Sequence, residues 1–307
     1  MPPGHRHPHG RPAAEVDPDA FPSIGIVGAG PVGLTLGRAF AAAGWPVVAV
    51  ASRDPARREA FRSAVPGARA FMEPAGLLDE VSIVFLTVPD DAVAAVAAGL
   101  RLYSGQALVH TSGLLASTVL HPAMAAGTLA ASFHPMVAFA DTDAALVALR
   151  GATVAIEGDE PLVAVLAELA EAIGAQPVRI PPEGKAAYHA AAVLAAGGFV
   201  ALLDAIAELG RGAGLDETGA LTIYAPLVRQ NLANAERLGI RAALTGPIVR
   251  GDAGTLRAHL AAMHALAPGA IALYVAAARR EIDLAVARGA LRPERAATLG
   301  EILDAEE

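Results

Sequence analysis

The stretch Ile24-Gly25-Ile26-Val27-Gly28-Ala29-Gly30-Pro31-Val32-Gly33 decides the fold of this 307-residue chain. Its apolar beginning predicts a buried strand, and Pro31 suits the first turn of a helix that follows. The three later glycines fit the G-x-G-x-x-G pattern, which permits a tight turn, a close backbone approach to a pyrophosphate and close packing of helix on strand. Because the pattern lies between a strand and a helix, it predicts a dinucleotide-binding loop formed by Gly28, Ala29, Gly30, Pro31, Val32 and Gly33.

Strand and helix patterns alternate outward from that loop. The predicted strands lie at 24–27, 47–50, 81–88, 107–110, 128–133, 152–156 and 177–180, and the helices between them at 32–43, 55–64, 91–98, 114–123 and 160–173. This alternation predicts an α/β fold with a parallel, doubly wound Rossmann-type sheet over residues 21–181. After it, the pattern predicts an all-helical domain over residues 182–307, with helices near 183–211, 216–237, 254–266, 269–287 and 292–304.

The composition narrows the class of protein. The chain is 54% hydrophobic and 18% charged, which is ample material for a globular core. A net charge of -8 argues against a nucleic-acid partner. The absence of cysteine excludes a disulfide framework and a thiolate metal site, so a cytoplasmic location is expected.

Two segments bear on targeting and membranes. Residues 1–20 have no apolar segment of the kind that a secretory signal needs, and they predict a disordered tail; His5, His7 and His9 in it are a weak indication of metal binding. The longest apolar stretch, 186–209, is mostly alanine and is interrupted by His189 and Asp204. It predicts a buried helix rather than a membrane span.

The end of the second strand indicates which dinucleotide binds. An NAD site usually places an acid there for the ribose 2′-hydroxyl, whereas this chain has Ser52 and Arg53. These residues suit a 2′-phosphate, so NADP(H) is preferred over NAD(H), with Arg57 and Arg58 as outer support. Asp54 leaves an alternative open, because it could turn inward and restore NAD binding or simply cap the next helix.

Ligands of a doubly wound sheet meet the carboxyl ends of its strands, where this chain has several polar residues. Val88 and Pro89 follow the strand at 81–88 and are expected to line the cofactor. His110 ends the next strand and Ser112 follows it, and His134 follows the strand after that. The histidines are candidates to line the substrate pocket. Ser112 lacks the turn of a serine hydrolase, and no carboxylate motif completes a metal site.

The helical part adds a lysine and an arginine. Lys185 is the only lysine in the chain, and His189 follows it at the i, i+4 spacing of one helical face. A partly buried ammonium can donate and accept a proton, whereas arginine stays protonated. Thr245 and Arg250 lie in a predicted loop at 244–252 and are candidates to bind the substrate, while Asp252 is a candidate helix cap.

Together these stretches resemble a widespread family of Rossmann-like proteins with a helical C-terminal domain of unknown function. The family is similar to the 6-phosphogluconate and β-hydroxyacid dehydrogenases, pyrroline-5-carboxylate reductase and ketopantoate reductase. In the β-hydroxyacid branch a lysine and an asparagine four residues later act on the substrate; Lys185 matches the lysine, and His189 stands in place of the asparagine. Where many relatives carry a Ser-Asn pair, this chain has Ala196 and Gly197.

The resemblance implies an NADP(H)-dependent oxidoreductase acting on a small carbonyl, imine or hydroxy-acid substrate. Lys185 would donate the proton, His189 would orient it, and Ser112 and His110 would hold the reacting group. Arg250 would bind a substrate anion, and the helical domain would form a homodimer. Two alternatives are a non-catalytic NADP(H)-binding redox sensor and a deazaflavin-linked NADP oxidoreductase.

Overall fold

The computed structural model describes residues 21–125 and 127–306. The predicted tail, with His5, His7 and His9, lies outside the described residues. The chain divides into two compact units, one up to Ala192 and the other from Val193. The sequence patterns predicted the division at 181/182. Because the structure divides the chain after Ala192, Lys185 and His189 belong to the first unit rather than to the helical one.

An eight-stranded sheet forms the centre of the first unit. Its strands are β1 Ile24–Val27, β2 Val47–Ala51, β3 Arg69–Phe71, β4 Ile83–Leu86, β5 Ala107–His110, β6 Leu129–Pro135, β7 Thr153–Gly158 and β8 Gln176–Arg179. The strand order is β3-β2-β1-β4-β5-β6-β7-β8, so the direction of winding reverses between β1 and β4. This order confirms the predicted doubly wound fold.

One pair of strands departs from the predicted parallel sheet. Strands β6 and β7 are antiparallel, whereas every other neighbouring pair is parallel. The prediction of a fully parallel sheet is therefore wrong at this position. Apolar strand patterns report that a strand is buried and carry no information on its direction, so the residues of β7 did not mark the reversal.

Helices cover the sheet of the first unit. They are α1 Pro31–Ala42, α2 Pro55–Ala64, α3 Asp90–Ala98, α4 Thr142–Ala148 and α5 Glu160–Ala172. Helix α6, Lys185–Val193, follows β8, and Lys185 is its only buried residue. Strand β3 and helix α4 were not predicted, because both are short and lack a clear apolar period. The helix predicted at 114–123 is wrong: only a 3-10 helix, Ser117–Ala123, forms there, and it contains Pro122.

The core of the first unit lies on both faces of the sheet. Successive strand residues point to opposite faces, so Ile83 and Phe85 pack in one apolar layer and Val84 and Leu86 in the other. On the first face Phe85 lies 5.2 Å from Phe40 and 5.6 Å from Phe133, measured between ring centroids. Packing on both faces holds the strands in place, and this fixes the positions of the residues that follow the strand ends.

The second unit is helical throughout its described residues. After a π-helical turn, Leu194–Gly198, come α7 Phe199–Gly212, α8 Glu217–Leu238, α9 Ile240–Ala243, α10 Pro247–Arg250, α11 Ala253–Leu266, α12 Ile271–Ala287 and α13 Pro293–Asp304. Its core includes Leu256, Leu260 and Leu299, all almost fully buried. The segment 244–252, predicted as a loop, contains the short helix α10.

The apolar stretch around α6 and α7 is largely exposed. The run Pro182–Gly212 is long and apolar enough to cross a membrane by length and composition alone, and only 6% of its 18-residue apolar window is buried. Leu194 is 73% exposed and Val200 is 64% exposed. The prediction of a buried helix is therefore wrong for a single chain, because most side chains of this stretch are exposed.

Candidate functional site

A cavity of about 850 Å³ lies in the first unit at the carboxyl ends of β1, β2 and β4. This is the reversal point of the strand order, where open α/β sheets bind their ligands. Most of the predicted cofactor residues line it: Gly28, Ala29, Gly30, Pro31, Val32, Ser52, Arg53, Val88 and Pro89. Residues 72–75 also line it and were missed, because they follow β3, which the sequence patterns did not reveal.

Each glycine of the β1–α1 turn has a separate structural reason. Gly28 has φ of +107°, which an L side chain rarely adopts. A Cβ on Gly33 would lie 2.0 Å from the carbonyl oxygen of Gly28, so Gly33 lets helix pack on strand and does not itself line the cavity. A Cβ on Gly30 would meet only Arg57 Nη1, at 3.8 Å. No side chain caps the start of α1, so this turn fits a bound pyrophosphate.

The loop after β2 presents positive charge to the cavity. Arg53 and Arg57 both line it and are exposed. The Asp54 carboxylate instead accepts hydrogen bonds from the backbone N–H groups of Ala56 and Arg57, at 2.9 and 3.2 Å, and caps α2. Arg58 donates to the backbone carbonyls of Ser52 and Arg53, so it braces the loop rather than supporting a ligand.

A buried lysine lies beside the ends of β5 and β6. Lys185 is 2% exposed, and its Nζ donates to Ser132 Oγ at 2.8 Å and more weakly to the Ser112 carbonyl at 3.4 Å. Burial lowers the pKa of the ammonium, while the carboxylates of Glu157 and Asp90 oppose that shift. Sequence reasoning found Lys185 because it is unique, and missed Glu157.

Two predicted histidines lie in the same region and are neutral near pH 7. Burial, followed by the charge of Lys185, lowers the pKa of His110 to about 4. Burial, followed by His189, lowers the pKa of His134 to about 4. The backbone N–H of Ser112 donates to His110 Nδ1 at 3.2 Å. The Nδ1 lone pair of His110 thus accepts a backbone hydrogen bond that stabilises the turn after β5.

A tyrosine and two histidines meet above the turn at Gly113. Tyr188 Oη lies 2.9 Å from His134 Nδ1, and the ring centroids of His134 and His189 are 5.9 Å apart. A Cβ on Gly113 would lie 2.6 Å from His189 Nδ1 and 2.8 Å from His134 Nε2. His189 Nδ1 is buried without a hydrogen-bond partner among the described residues. Tyr188, a possible proton donor, was not singled out from the sequence.

The hydroxyl of Ser112 is fully engaged. It donates to Asp90 Oδ2 at 2.7 Å and accepts from the backbone N–H groups of Leu114 and Leu115 at 3.1 and 3.0 Å. The expectation that this hydroxyl holds the reacting group is therefore not supported, since it shapes the loop. Asp90 and Thr111 both line the cavity, so the polar residues at the ends of β5 and β6 adjoin it.

The remaining candidates belong to the second unit. Thr245 and Arg250 are exposed, and the Arg250 carbonyl accepts a hydrogen bond from Arg295 at 2.7 Å. Asp252 caps α11 through the backbone N–H and hydroxyl of Thr255, and these bonds lower the pKa of its carboxyl. In the described part of the chain, no group of three or more His, Asp or Glu side chains has the arrangement of a metal site.

Comparisons with known proteins agree with the two-part architecture. Residues 11–135 match a Rossmann-like domain, and residues 152–281 match a domain of unknown function, DUF2520. A comparison with curated protein sequences finds no match.

Three solved structures illustrate the likeness. A protein of Bacteroides fragilis described as a candidate NADP oxidoreductase aligns with a TM-score of 0.72 and 22% identity, over 85% of this chain and 98% of that one. Protein TM1727 of Thermotoga maritima aligns with a TM-score of 0.66 and 28% identity, over 86% and 99%. An imine reductase of a Pseudomonas species aligns with a TM-score of 0.63 and 19% identity, over 92% and 99%.

Proposed function

We propose that this chain, which joins a Rossmann-like domain to a DUF2520 domain, is an NADP(H)-dependent oxidoreductase for a small carbonyl, imine or hydroxy-acid substrate. The observation that carries the proposal is the cavity at the reversal point of the sheet; Ser112 connects a buried lysine to it, donating to Asp90 of the lining and accepting from Lys185. An imine reductase and a candidate NADP oxidoreductase share the fold, which is consistent with redox chemistry but does not select the substrate.

The residues that would hold the dinucleotide are those of the cavity. The N–H groups at the start of α1 would face the pyrophosphate, and Ser52, Arg53 and Arg57 would face a 2′-phosphate. When bound, the nicotinamide gives or takes the hydride, which is the difficult part of the reaction. The chain's own contribution is to orient the substrate and to move the proton.

The proton would come from the Lys185 ammonium. In a reduction, the oxygen or nitrogen of the substrate gains negative charge, and a nearby ammonium stabilises that charge and protonates it. His134 and His110 are neutral, so they add no competing positive charge near pH 7. Tyr188 is paired with His134, which makes it a second candidate donor. Arg250 is proposed to bind a carboxylate of the substrate.

Cofactor choice is tested by titrating NADPH and NADH into the wild type and Arg53→Ala, following nicotinamide fluorescence. Loss of one charge-assisted contact is expected to weaken NADPH binding about tenfold and to leave NADH affinity nearly unchanged. Arg62→Ala is the matched control, because Arg62 is an exposed arginine of α2 that pairs with Glu59 and does not line the cavity. Failure of both nucleotides to bind the wild type refutes the proposal.

The role of Lys185 is tested with Lys185→Met, which keeps the length of the side chain and removes its charge. NADPH affinity should stay within about twofold, because Lys185 does not line the cavity, while turnover of carbonyl and imine acids should fall about 100-fold or more. A variant that turns over at the wild-type rate removes Lys185 from the mechanism.

One observation favours a non-catalytic redox sensor as the second candidate. Lys185 is 2% exposed and all its described hydrogen bonds are internal, as in a purely structural network. A sensor binds NADPH without oxidising it, and its response would be a change in a protein contact. Persistence of bound NADPH in the presence of every carbonyl and imine acid screened would select the sensor over the enzyme.

A homodimer formed through the helical unit is part of the proposal, as is a cytoplasmic location. In the second unit, exposed apolar residues lie along α7 and α8 and the turn before them, among them Leu194, Val200, Ile223, Leu227 and Leu232. Exposed apolar side chains on neighbouring helices are typical of interfaces between protein chains. A second copy of this chain is the proposed partner.

A further inference from the structure

Three polar residues form a row across adjacent strands of the first unit. His110 of β5 pairs in register with Ser132 of β6, and Ser132 pairs with Glu157 of β7. Cross-strand partners share a face of the sheet, and all three side chains are buried. The neighbouring residues Leu108 and Ala130 on that face are apolar core. We call His110, Ser132 and Glu157 the polar row.

The polar row connects Lys185 to a buried carboxylate. Lys185 Nζ donates to Ser132 Oγ at 2.8 Å, and Ser132 Oγ in turn donates to Glu157 Oε2 at 3.4 Å. Glu157 also accepts from the backbone N–H of Ser117 at 2.8 Å and from the Ser117 hydroxyl at 2.7 Å. Glu157 thus has partners on both oxygens, as a buried carboxylate requires, and its charge faces Lys185 through one hydroxyl.

The charges that face Lys185 can be named from each element around it. Asp90 at the start of α3 and Glu157 of β7 are negative; His110 and His134 are neutral near pH 7; His189 lies one turn further along α6. Asp90 is exposed and its field is screened by water and salt, whereas Glu157 is 8% exposed. Glu157 is therefore the carboxylate whose effect on the ammonium is least screened.

We propose that Glu157 is a positioning residue for Lys185: acting through Ser132, it holds the ammonium at the ends of β5 and β6 and supplies the opposite charge that keeps it protonated. The hydrogen bonds of Ser117 fix the carboxylate, and the register of β6 and β7 fixes its distance from Ser132. The consequence for catalysis rests on the proposed function; the electrostatic coupling itself does not.

The test uses the single lysine of the chain. Protein grown with lysine isotopically labelled at Cε gives one lysine signal, so its NMR titration reports the pKa of Lys185 without substrate or cofactor. In Glu157→Gln, which keeps the shape of the side chain, the pKa of Lys185 should fall by about one unit or more relative to the wild type. Glu168→Gln, an exposed glutamate of α5 with the same loss of charge, should leave the titration unchanged.

An unchanged Lys185 titration in a folded Glu157→Gln variant overturns the proposal. If that variant does not fold, Ser132→Ala decides, because it keeps the Ser117 bonds to Glu157 and removes only the connecting hydroxyl. A lowered pKa or a broadened, mobile Cε signal in Ser132→Ala supports the proposal, and a wild-type signal with a wild-type pKa overturns it. Ser132→Thr, which retains the hydroxyl, should restore the wild-type titration.

A second readout separates this proposal from the proposed function. A proton donor must be protonated, so reductive turnover falls as pH rises through the pKa of Lys185, and in Glu157→Gln that fall should begin at lower pH. A coupled titration with no turnover of any substrate leaves the positioning role of Glu157 intact and refutes the enzyme. Turnover with an identical pH profile in wild type and Glu157→Gln refutes the positioning role alone.

Discussion

Some of the site residues at the ends of β5 and β6 could be predicted from the local sequence, whereas others could be identified only from the pairing of the strands. Lys185 stands out because it is the only lysine, and His110 and His134 because they end apolar runs. Glu157 did not stand out, because it belongs to an apolar strand and its role depends on Ser132, its neighbour across β6 and β7. Ser112 was placed correctly at a strand end, yet its hydroxyl bonds could not be read from sequence.

The two neutral histidines predict how stability depends on pH. Their folded pKa of about 4 lies below the ordinary value of 6.5, so protons favour the unfolded state. Their contribution to stability is complete above about pH 6.5 and is lost as pH falls toward 4. Between pH 7 and pH 5 the free energy of unfolding of the first unit should drop by about 1–2 kcal/mol per histidine.

Urea titration followed by the fluorescence of Trp45 measures this loss, because Trp45 is the only tryptophan and is buried in the first unit. His134→Gln should show a shallower decline between the two pH values than the wild type. His121→Gln, an exposed histidine of the same unit, should keep the wild-type decline. Equal declines in all three proteins contradict the assignment of neutral histidines.

At the level of elements, the bounds of helices and strands were predicted best where a clear pattern lies next to a residue type that ends regular secondary structure. Strands β1 and β5 and helix α2 were predicted with the bounds that the structure gives. Strand β3 and helix α4 were missed because they span three and seven residues, too few for a period to show. The direction of β7 was missed because burial and direction are independent properties of a strand.

Two alanine substitutions in the turn between β1 and α1 are expected to have different effects, one on stability and the other on NADPH binding. Gly33→Ala forces a Cβ against the Gly28 carbonyl and should destabilise the first unit by about 1–3 kcal/mol. Gly30→Ala has space and a φ of -75°, so stability should hold, while the new methyl group should weaken NADPH binding about tenfold by blocking the pyrophosphate.

Both variants are compared by urea titration and by NADPH titration. Undiminished NADPH affinity in Gly30→Ala shows that the pyrophosphate does not pass this turn. Wild-type stability in Gly33→Ala shows that helix and strand can separate there without cost.

At the level of the whole molecule, large apolar side chains of the helix that follows Lys185 are exposed, Leu194 and Val200 among them. Sequence predicted an apolar helix at this position correctly and its burial wrongly, because a single sequence does not state how many chains share a core. The exposure of Leu194 and Val200 is the observation behind the proposed dimer.

Light scattering after size-exclusion chromatography tests the proposed dimer. The wild type should have twice the mass of the chain, and Leu194→Glu with Val200→Glu should be monomeric, because two charges on each copy oppose burial of this surface. Val147→Glu is the control, as Val147 is 72% exposed on α4 of the first unit. A monomeric wild type, or one that binds detergent micelles through this helix, contradicts the dimer.

The polar row also has a consequence for the register in which β6 and β7 pair. If β7 pairs with β6 one residue out of step, Glu157 moves to the opposite face, where β6 presents the apolar side chains of Ala131 and Phe133, and it loses its bonds to Ser117. An unpaired carboxylate is costly in an apolar layer, so the slipped register is less stable than the observed one. Glu157 therefore favours the observed register of β6 and β7 over a slip of one residue.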